Sequence, residues 1–355
     1  MERRTIGAGA LEVGAIGLGC MPMSWAYTTS QQRSDRSLRT VHAALDAGVS
    51  LLDTADMYGP FTNELLLGRV LKERRRDAFV STKAGLLVGG DQHVVANGRP
   101  GYIRRACDAS LRRLGTDVID LYQLHRADPE VPVEETWGAM AELVQAGKVR
   151  TLGFCAVGAH TARRSGAGTG ASRPGGMGAA GRYEARAEPG RHAGTIHQLD
   201  RIQQVFPVSA VEAELSVWSP DALADLLPWC EARGVGFLAA MPLGSGFLTG
   251  TLTPGSGFEP DDPRARHPRF TAEMMAANQP VVAGLRRIAR RHGDGTTAAQ
   301  VALAWARGQG RHVVPVPGTK RERWAVENAA AAGLVLTERD LAEIAELPSA
   351  RGSWD

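Results

Sequence analysis

Leu51-Leu52-Asp53-Thr54-Ala55-Asp56-Met57-Tyr58-Gly59 starts as an apolar run and ends among ionisable side chains. Two later stretches repeat this pattern: Phe79-Val80-Ser81-Thr82-Lys83 and Ile119-Asp120-Leu121-Tyr122-Gln123-Leu124-His125-Arg126. Short apolar runs of this kind are typical of strands buried on both faces of a parallel sheet. The three stretches therefore predict three successive strands, which end at Asp53 with Tyr58 just beyond, at Lys83 and at His125.

The rest of the chain alternates between strand and helix patterns. A glycine closes several predicted helices and a short apolar run follows it, which is typical of a helix-to-strand turn. After a hairpin at residues 3–6 and 11–13, the pattern predicts eight strands, at residues 15–18, 49–53, 78–82, 118–124, 151–154, 208–211, 235–239 and 312–316. The predicted helices occupy residues 35–47, 63–73, 102–114, 133–146, 196–205, 221–233, 279–292, 297–309 and 321–331.

Eight strands that alternate with helices indicate a single α/β domain over residues 1–355, a (β/α)8 TIM barrel with an N-terminal β-hairpin. An open, doubly wound sheet is the structural alternative. The G-x-G-x-x-G fingerprint of dinucleotide-binding open sheets does not occur between a predicted strand and a predicted helix. The sequence therefore favours the barrel.

One segment, residues 165–194, breaks this alternation after the fifth predicted strand. It contains nine glycines and four arginines and has no Leu, Ile, Val or Phe. Such a composition cannot bury enough apolar surface to offset its ordering entropy, so we expect a disordered insertion. A mobile lid over the site and a stretch with no role are both compatible with this composition.

The composition is that of an ordinary globular protein, 43% hydrophobic and 22% charged, with 41 basic and 38 acidic residues interspersed. No basic stripe with interleaved aromatic residues is present, so we expect no nucleic-acid partner. No run approaches the eighteen or so apolar residues of a membrane helix, and we expect no membrane association. The four cysteines are far apart and form no CxxC, which argues against a disulfide framework or a metal site and favours a cytoplasmic location.

The strand-end residues suggest acid–base chemistry, because barrel enzymes carry their catalytic groups at the carboxyl ends of the strands. We expect Asp53 to pair with Lys83, and the ammonium to lie beside the Tyr58 phenol and lower its pKa from about 10. A neutral His125 would hydrogen-bond a carbonyl oxygen. Each residue alone has a structural alternative: a helix cap, a turn tyrosine, a surface lysine or a buried structural histidine. Together they could donate a proton to a carbonyl oxygen at neutral pH.

In these stretches, and in Gly147-Lys148-Val149-Arg150 and Gly318-Thr319-Lys320-Arg321, the chain resembles the aldo-keto reductase family, with most similarity to bacterial and fungal pyridoxal and aryl-alcohol reductases. The resemblance spans about residues 3 to 346, except for the glycine-rich segment. It implies a (β/α)8 barrel that binds NADPH and reduces an aldehyde or ketone by hydride transfer. It also implies a catalytic tetrad of Asp53, Tyr58, Lys83 and His125, with Tyr58 as the general acid.

The cofactor residues are predicted at two loops. Pro317 to Arg323 leads into a helix start, where backbone N–H groups with Lys320, Arg321 and Arg323 suit a 2′-phosphate and favour NADP over NAD. A solvated basic turn is the alternative. The glycines of Pro242 to Leu248 would let backbone amides approach a pyrophosphate. With the resemblance, the predicted cofactor set comprises Cys155, Glu212, Leu243, Gly244, Gly246, Gly318, Thr319, Lys320, Arg321, Arg323, Glu327 and Asn328.

Several of these positions depart from the family's usual residues. Cys155 stands where a serine is usual and Glu212 where a glutamine is usual; Ala156, Leu215 and Met241 are also unusual. Lost hydrogen bonds and stacking at these positions would weaken cofactor binding. This motivates an alternative function, an NADPH-binding regulatory or redox-sensing subunit with weak turnover. The glycine-rich segment motivates a third, a damaged barrel without activity.

The substrate is less well defined than the chemistry. Trp25 and Tyr27 after the first strand and Trp218 after the sixth predict aromatic walls, which suit a flat or aromatic carbonyl compound. The same residues could instead pack loops. The predicted partner is therefore a small-molecule carbonyl substrate, and the sequence leaves the oligomeric state open.

Overall fold

A computed structural model describes residues 1–7, 11–27, 32–89, 93–157 and 190–352 of the 355-residue chain. Its described strands are β1 (Arg3–Ile6), β2 (Leu11–Gly14), β3 (Leu18–Gly19), β4 (Leu51–Asp53), β5 (Phe79–Ala84), β6 (Leu86–Val88), β7 (Val94–Ala96), β8 (Ile119–Leu124), β9 (Val149–Cys155), β10 (Ala210–Glu214), β11 (Gly236–Ala240) and β12 (Val313–Pro315).

The described α-helices are α1 (Ser34–Asp46), α2 (Thr62–Arg74), α3 (Pro100–Leu114), α4 (Val133–Gln145), α5 (Ala193–Gln203), α6 (Leu226–Ala232), α7 (Ala272–Arg291), α8 (Ala298–Arg307), α9 (Glu322–Ala330) and α10 (Glu338–Ala345). Across the described ranges, no helix is both long enough and apolar enough to cross a membrane.

Eight parallel strands form the barrel, in the order β3, β4, β5, β8, β9, β10, β11, β12. The first and last strands meet, because Gly17 N–H donates to the Pro315 carbonyl at 2.9 Å and Gly19 N–H donates to the Pro317 carbonyl at 3.1 Å. The predicted (β/α)8 TIM barrel is confirmed, and the open doubly wound sheet is excluded.

The hairpin of β1 and β2, confirmed as predicted, closes the bottom of the barrel. Ile6 and Val13 of this hairpin pack with Leu51, Phe79 and Leu121, the lower inward-facing residues of β4, β5 and β8. A much larger apolar cluster lies between the outer faces of the strands and the surrounding helices. The interior of the barrel is therefore filled below and can hold polar side chains only in its upper part.

The predicted strands and most predicted helices lie within a few residues of the observed ones, with three differences. The predicted helix over residues 221–233 is broken, because Asp225 leaves the helical conformation and caps α6 by accepting a hydrogen bond from Leu226 N–H. Helix α7 begins at Ala272, capped by Thr271, seven residues before the predicted start. The hairpin of β6 and β7 and helix α10 were not predicted.

Most of the glycine-rich insertion, residues 165–189, lies outside the described residues. The described end of the predicted segment, residues 190–194, contains the start of a helix. His192 is buried and its Nδ1 lies 2.8 Å from Asp225 Oδ1, and helix α5 starts at Ala193, three residues before the predicted start. The contact with Asp225 explains the earlier start.

We expect Gly68→Ala to destabilise the protein, although alanine usually stabilises a helix interior. An added Cβ at Gly68 in α2 would lie 2.3 Å from the Arg113 carbonyl oxygen of α3. Overpacking of this kind costs about 1–3 kcal/mol. Gly138→Ala in α4 is the matched control, since nothing lies within 4 Å of its added Cβ, and it should stabilise the protein by up to about 1 kcal/mol. Urea unfolding of both variants tests this, and equal stability would contradict the close approach of α2 to α3.

Candidate active site

The alternation of side chains along the strands places a polar layer in the upper barrel. Below it lie Leu51, Phe79 and Leu121, and two residues further along the same strands come Asp53, Ser81 and Gln123. The next inward position of β5 is Lys83, and Glu212 enters this layer from β10. The upper-barrel polar cluster, comprising Asp53, Ser81, Lys83, Gln123 and Glu212, is buried throughout.

The Lys83 ammonium is the centre of this cluster. Its Nζ lies 2.5 Å from Asp53 Oδ2, 3.1 Å from Glu212 Oε2 and 3.1 Å from the Thr54 carbonyl oxygen. These three acceptors match the three N–H donors of an ammonium group. Since the side chain of Lys83 is 0% exposed, the two carboxylates supply the interactions that water would give to a lysine at the surface.

Gln123 links the two carboxylates. Its Nε2 donates to Glu212 Oε2 at 2.8 Å and to Ser81 Oγ at 2.9 Å, and it lies 3.4 Å from Asp53 Oδ1. Ser81 Oγ in turn donates to Asp53 Oδ1 at 2.8 Å. The carboxylates are therefore held in place by hydrogen bonds as well as by the ammonium.

Tyr58 and His125 lie above this cluster. The Tyr58 ring centroid is 5.8 Å from Lys83 Nζ and 5.9 Å from the His125 ring centroid, with the two rings nearly perpendicular. The sequence-predicted tetrad of Asp53, Tyr58, Lys83 and His125 is thus brought together at one end of the barrel. Its catalytic role remains a proposal, taken up below.

Two features fix the loop that carries Tyr58. Gly59 has φ of +66°, and a Cβ there would lie 2.7 Å from the Ser24 carbonyl oxygen, so glycine is required. Asn63, fully buried, accepts from Thr54 Oγ1 and donates to the Cys20 carbonyl oxygen and to Ser24 Oγ. Asn63 therefore ties the loop after β4 to the loop after β3.

Burial dominates the ionisation of the site. Burial raises the pKa of Tyr58 above its usual value, and the opposing effect of Lys83 does not reverse this. The expected lowering of the Tyr58 pKa by Lys83 was therefore wrong in direction, because loss of solvation outweighs the attraction of the ammonium. Burial, followed by Lys83, holds the pKa of His125 well below its usual range, so the imidazole is neutral.

The pKa values of Lys83 and Glu212, two members of the buried ion cluster, are also shifted. Burial lowers the pKa of Lys83, but Asp53 and Glu212 raise it by more, and the net pKa is well above the usual value. Burial and the nearby Asp53 raise the pKa of Glu212 to about 7. Lys83 is therefore a permanent cation at neutral pH, while Glu212 is poised to gain or lose a proton.

A cavity of about 940 Å³ opens above the cluster and runs from the tetrad to the start of α9. At one end it is lined by Asp53, Tyr58, His125, Cys155 and Glu212. Its volume lies at the upper end of the range for small-molecule sites. Towards the other end it is lined by the predicted cofactor residues Leu243, Gly246, Gly318, Thr319, Lys320, Arg321, Glu327 and Asn328.

The far end of the cavity is basic. Lys320 Nζ donates to the Tyr27 carbonyl oxygen at 2.6 Å, and burial, followed by the neighbouring Arg321, lowers the pKa of Lys320 to about 8. Thr297 Oγ1 donates to Glu327 Oε1 at 2.8 Å and fixes its carboxylate to the start of α8. An anion in this part of the cavity would favour the charged form of Lys320.

Three of the predicted cofactor and substrate residues do not line the cavity. Gly244 packs against the Trp218 ring, 2.4 Å from the position of an added Cβ. Arg323 stacks on Trp324 at 5.0 Å. Trp218 is 3% exposed and packs on Phe247 with ring centroids 4.4 Å apart, so it is a core residue rather than a cavity wall. Trp25 and Tyr27, the other predicted substrate residues, do line the cavity.

Sequence reasoning did not identify three contributors to the site. Ser81 and Gln123 were read only as part of strands, although their period-two spacing with Lys83 and Leu121 could have placed them on the inner face. Trp324 lines the cavity, and the Arg321 guanidinium lies 4.9 Å from the centroid of its ring. Helical spacing from Glu327 and Asn328 could have suggested it.

The loop after β3 contacts the loop after β11. Tyr27 Oη lies 3.1 Å from Ser245 Oγ, and the Arg264 guanidinium stacks on the Tyr27 ring at 5.0 Å. Tyr27 and Ser245 both have positive φ, 48° and 51°, so each loop is strained where they meet. Both residues line the cavity.

A second depression, of about 1,050 Å³, lies at the opposite end of the barrel. Its charged residues are largely paired with one another, as in the contacts of Arg75 and Arg150 with Asp120. None of the candidate active-site residues lines it. Across the described parts of the chain, no group of three or more His, Cys, Asp and Glu side chains could hold a metal ion.

The fold and site define the protein as a (β/α)8 barrel with a buried ion cluster at the end of one cavity, and comparison with known proteins gives its family. The Aldo/keto reductase family matches residues 15–169 and 192–348, which leaves most of the glycine-rich insertion unmatched. The chain therefore belongs to the aldo-keto reductase family, as the sequence resemblance predicted.

Individual relatives agree with this assignment. Over 346 residues, 96% of this chain and 87% of the relative, the chain is 33% identical to a protein from Glycine max named probable aldo-keto reductase 1. The glycerol dehydrogenase AKR11B4 from Gluconobacter oxydans superposes with a TM-score of 0.76, at 26% identity over 96% of this chain and 93% of that one. An aldo-keto reductase from Klebsiella pneumoniae, solved in complex with NADPH, has a TM-score of 0.66 at 23% identity, over 97% and 94% of the two chains.

We expect His125 to remain neutral well below its ordinary pKa of about 6.5. The unfolded chain binds a proton there when the folded protein does not, so His125 lowers the free energy of unfolding as the pH falls below about 6.5. NMR signals of the His125 imidazole should keep their neutral shifts from about pH 8 to about pH 5. His125→Asn should remove up to about 1.4 kcal/mol per pH unit from the acid dependence of stability. A protonation midpoint at or above 6.5 would contradict this environment.

Proposed function

We propose that this protein is an NADPH-dependent oxidoreductase that reduces an aldehyde or ketone to an alcohol by hydride transfer, with Tyr58 as the general acid. The observation that carries the proposal is the buried Asp53–Lys83–Glu212 ion cluster beneath Tyr58 and His125, at the end of one cavity. Membership of the aldo-keto reductase family supports it.

The residues that line the cavity fit NADPH. Lys320 and Arg321, next to the N-terminus of α9, suit a 2′-phosphate, and Asn328 and Glu327 offer polar groups to an adenine. Gly246, with φ of +93°, has no side chain and lets the backbone approach a pyrophosphate. When bound, NADPH supplies the hydride.

The protein's own residues then handle the proton. Tyr58, whose pKa is raised, stays protonated at neutral pH and can donate its proton to the carbonyl oxygen. The Lys83 ammonium stabilises the phenolate that this leaves, and the two carboxylates keep Lys83 charged. Neutral His125 offers a hydrogen bond that orients the carbonyl oxygen. These roles need no change in the positions of the strands.

The walls of the cavity near Tyr58 favour an apolar carbonyl substrate. Trp25, Met57, Leu86 and Val94 line this end, and the last two come from the hairpin of β6 and β7. A flat or aromatic aldehyde would bury its apolar surface against them. The proposed substrate class is therefore an aromatic aldehyde or ketone.

The alternative of an NADPH-binding regulatory subunit with weak turnover makes a different prediction. It requires that the cavity holds NADPH while the proton-handling groups contribute little. The complete cluster beneath Tyr58 favours turnover instead. A steady-state assay with a panel of aromatic aldehydes distinguishes the two, because the regulatory reading requires negligible rates with all of them.

Tyr58→Phe should lower kcat for 4-nitrobenzaldehyde reduction by about 10²–10⁴-fold, because it removes the proposed proton donor. NADPH binding, measured by fluorescence titration, should change little. Tyr122→Phe is the matched control: Tyr122 is fully buried outside the cavity, and its hydroxyl has no hydrogen-bond partner among the described residues. Equal turnover in Tyr58→Phe and the wild type would rule out the proposed role.

Arg321→Gln should weaken NADPH binding by about tenfold while leaving NADH binding nearly unchanged, because only NADPH carries the 2′-phosphate. Arg323→Gln is the control of equal charge, since Arg323 also contacts the Trp324 ring but does not line the cavity. Dissociation constants of both nucleotides for both variants provide the test. A larger loss of NADPH affinity in Arg323→Gln than in Arg321→Gln would contradict the assignment of the 2′-phosphate to Arg321.

A further inference from the structure

Glu212 is the acceptor for the third N–H group of the Lys83 ammonium. The contacts of Nζ with Asp53, with the Thr54 carbonyl oxygen and with Glu212 account for all three N–H groups. The Tyr58 ring centroid is 5.8 Å from the same nitrogen. A hydrogen bond from Lys83 to the Tyr58 phenol oxygen therefore requires that one of these three acceptors is released.

Glu212 is the acceptor most easily released. The Thr54 carbonyl is fixed by the backbone, and Asp53 makes the shortest contact, 2.5 Å, on a strand adjacent to that of Lys83. Glu212 reaches Lys83 from β10, at 3.1 Å, and its side chain also lines the cavity. Loss of the Glu212 charge would weaken its hold on Lys83 and leave the other two contacts in place.

The groups that face Glu212 leave it as the one that titrates near neutral pH. Lys83 from β5 is a permanent cation, and burial raises the pKa of Tyr58 above its usual value and that of Cys155 from β9 to about 12. Asp53 from β4 and Gln123 from β8 complete the polar neighbours, and the neighbouring positions of β11 are apolar, Leu238 and Ala240. Burial and the adjacent Asp53 raise the pKa of Glu212 to about 7.

Gln123 can form a hydrogen bond with Glu212 whether Glu212 is ionised or protonated. Its Nε2 donates to the carboxylate, while its Oε1 is buried without a hydrogen-bond partner among the described residues. A rotated amide would present this oxygen to a protonated Glu212, which could donate to it, at the cost of the hydrogen bond from Nε2 to Ser81 Oγ. The neutral acid therefore has a hydrogen-bond partner available without movement of the strands.

We propose that Glu212 is a positioning residue that competes with Tyr58 for the Lys83 ammonium and sets, by its own charge, the direction of hydride transfer that the site favours. This rests on the proposed function. Ionised Glu212 holds the third N–H and gives the Asp53–Lys83–Glu212 cluster a net charge of −1, which favours the cationic oxidised nicotinamide. Protonated Glu212, after taking a proton from solvent in the cavity, releases that N–H to Tyr58 and favours carbonyl reduction.

The first test compares the affinities for NADP+ and NADPH between about pH 5.5 and pH 8.5 by fluorescence titration. The ratio of the two dissociation constants cancels the titration of the 2′-phosphate, which both nucleotides share. In the wild type, the preference for NADP+ should rise roughly tenfold as the pH increases through about 7. In Glu212→Gln the ratio should be independent of pH, because the isosteric amide cannot ionise.

Glu214→Gln is the matched control. It makes the same change two residues further along β10, where the carboxylate interacts with Ser219 and Arg269 and does not line the cavity. It should keep the pH dependence of the wild type. A wild-type ratio that does not vary with pH, or a pH dependence that survives in Glu212→Gln, would overturn the proposal.

A second readout is the pH profile of kcat for aldehyde reduction. In the wild type and in Glu214→Gln, kcat should fall as the pH rises through about 7. In Glu212→Gln this fall should be absent. A purely structural role of Glu212 would lower the rate equally at every pH, which would also overturn the proposal.

Infrared spectroscopy of the protein without nucleotide separates this proposal from the proposed function. As the pH rises from about 6 to about 8, the wild type should lose one infrared band of a protonated carboxyl group. This band should be missing from Glu212→Gln at every pH. Absence of this band in the wild type would overturn the role of Glu212 whether or not nucleotides bind. If the band is present and neither nucleotide binds, the proposed function fails instead.

Discussion

The site depends on one ammonium group buried inside a barrel. A lysine with no exposed side-chain surface loses its hydration, and Lys83 can remain charged only because Asp53 and Glu212 lie within 2.5 Å and 3.1 Å of it. The need to keep Lys83 charged explains the polar layer in the upper barrel. Gln123 and Ser81 hold the carboxylates, and the apolar plug of the hairpin closes the barrel below.

The same burial determines how the proton is handled. In water, a nearby lysine would lower the pKa of a tyrosine, but in this barrel the loss of solvation dominates and raises it. Tyr58 is therefore a protonated phenol rather than a resting phenolate. In the proposed reaction, Lys83 would stabilise the negative charge that appears on Tyr58 when the proton leaves, which is the moment at which a preorganised charge is most effective.

Much of this could be predicted from the sequence. Apolar runs that end at Asp53, Lys83 and His125 predicted both the barrel and the rim at which these residues meet, because parallel strands expose their carboxyl ends on one side. The connecting loops and the packing of single side chains were not predictable in this way. Trp218 was predicted as a cavity wall but packs on Phe247, and Arg323 stacks on Trp324 outside the cavity lining.

The central claim, that Lys83 is a cation secured by two carboxylates, can be measured directly. The chain has four lysines, Lys72, Lys83, Lys148 and Lys320, so ¹⁵N NMR of their Nζ groups can be assigned by single replacements. We predict that Lys83 stays protonated above the usual lysine pKa of about 10.4, while Lys320 in the same sample titrates near 8. A titration in which the Lys83 ammonium loses its proton below the usual lysine pKa would contradict this claim.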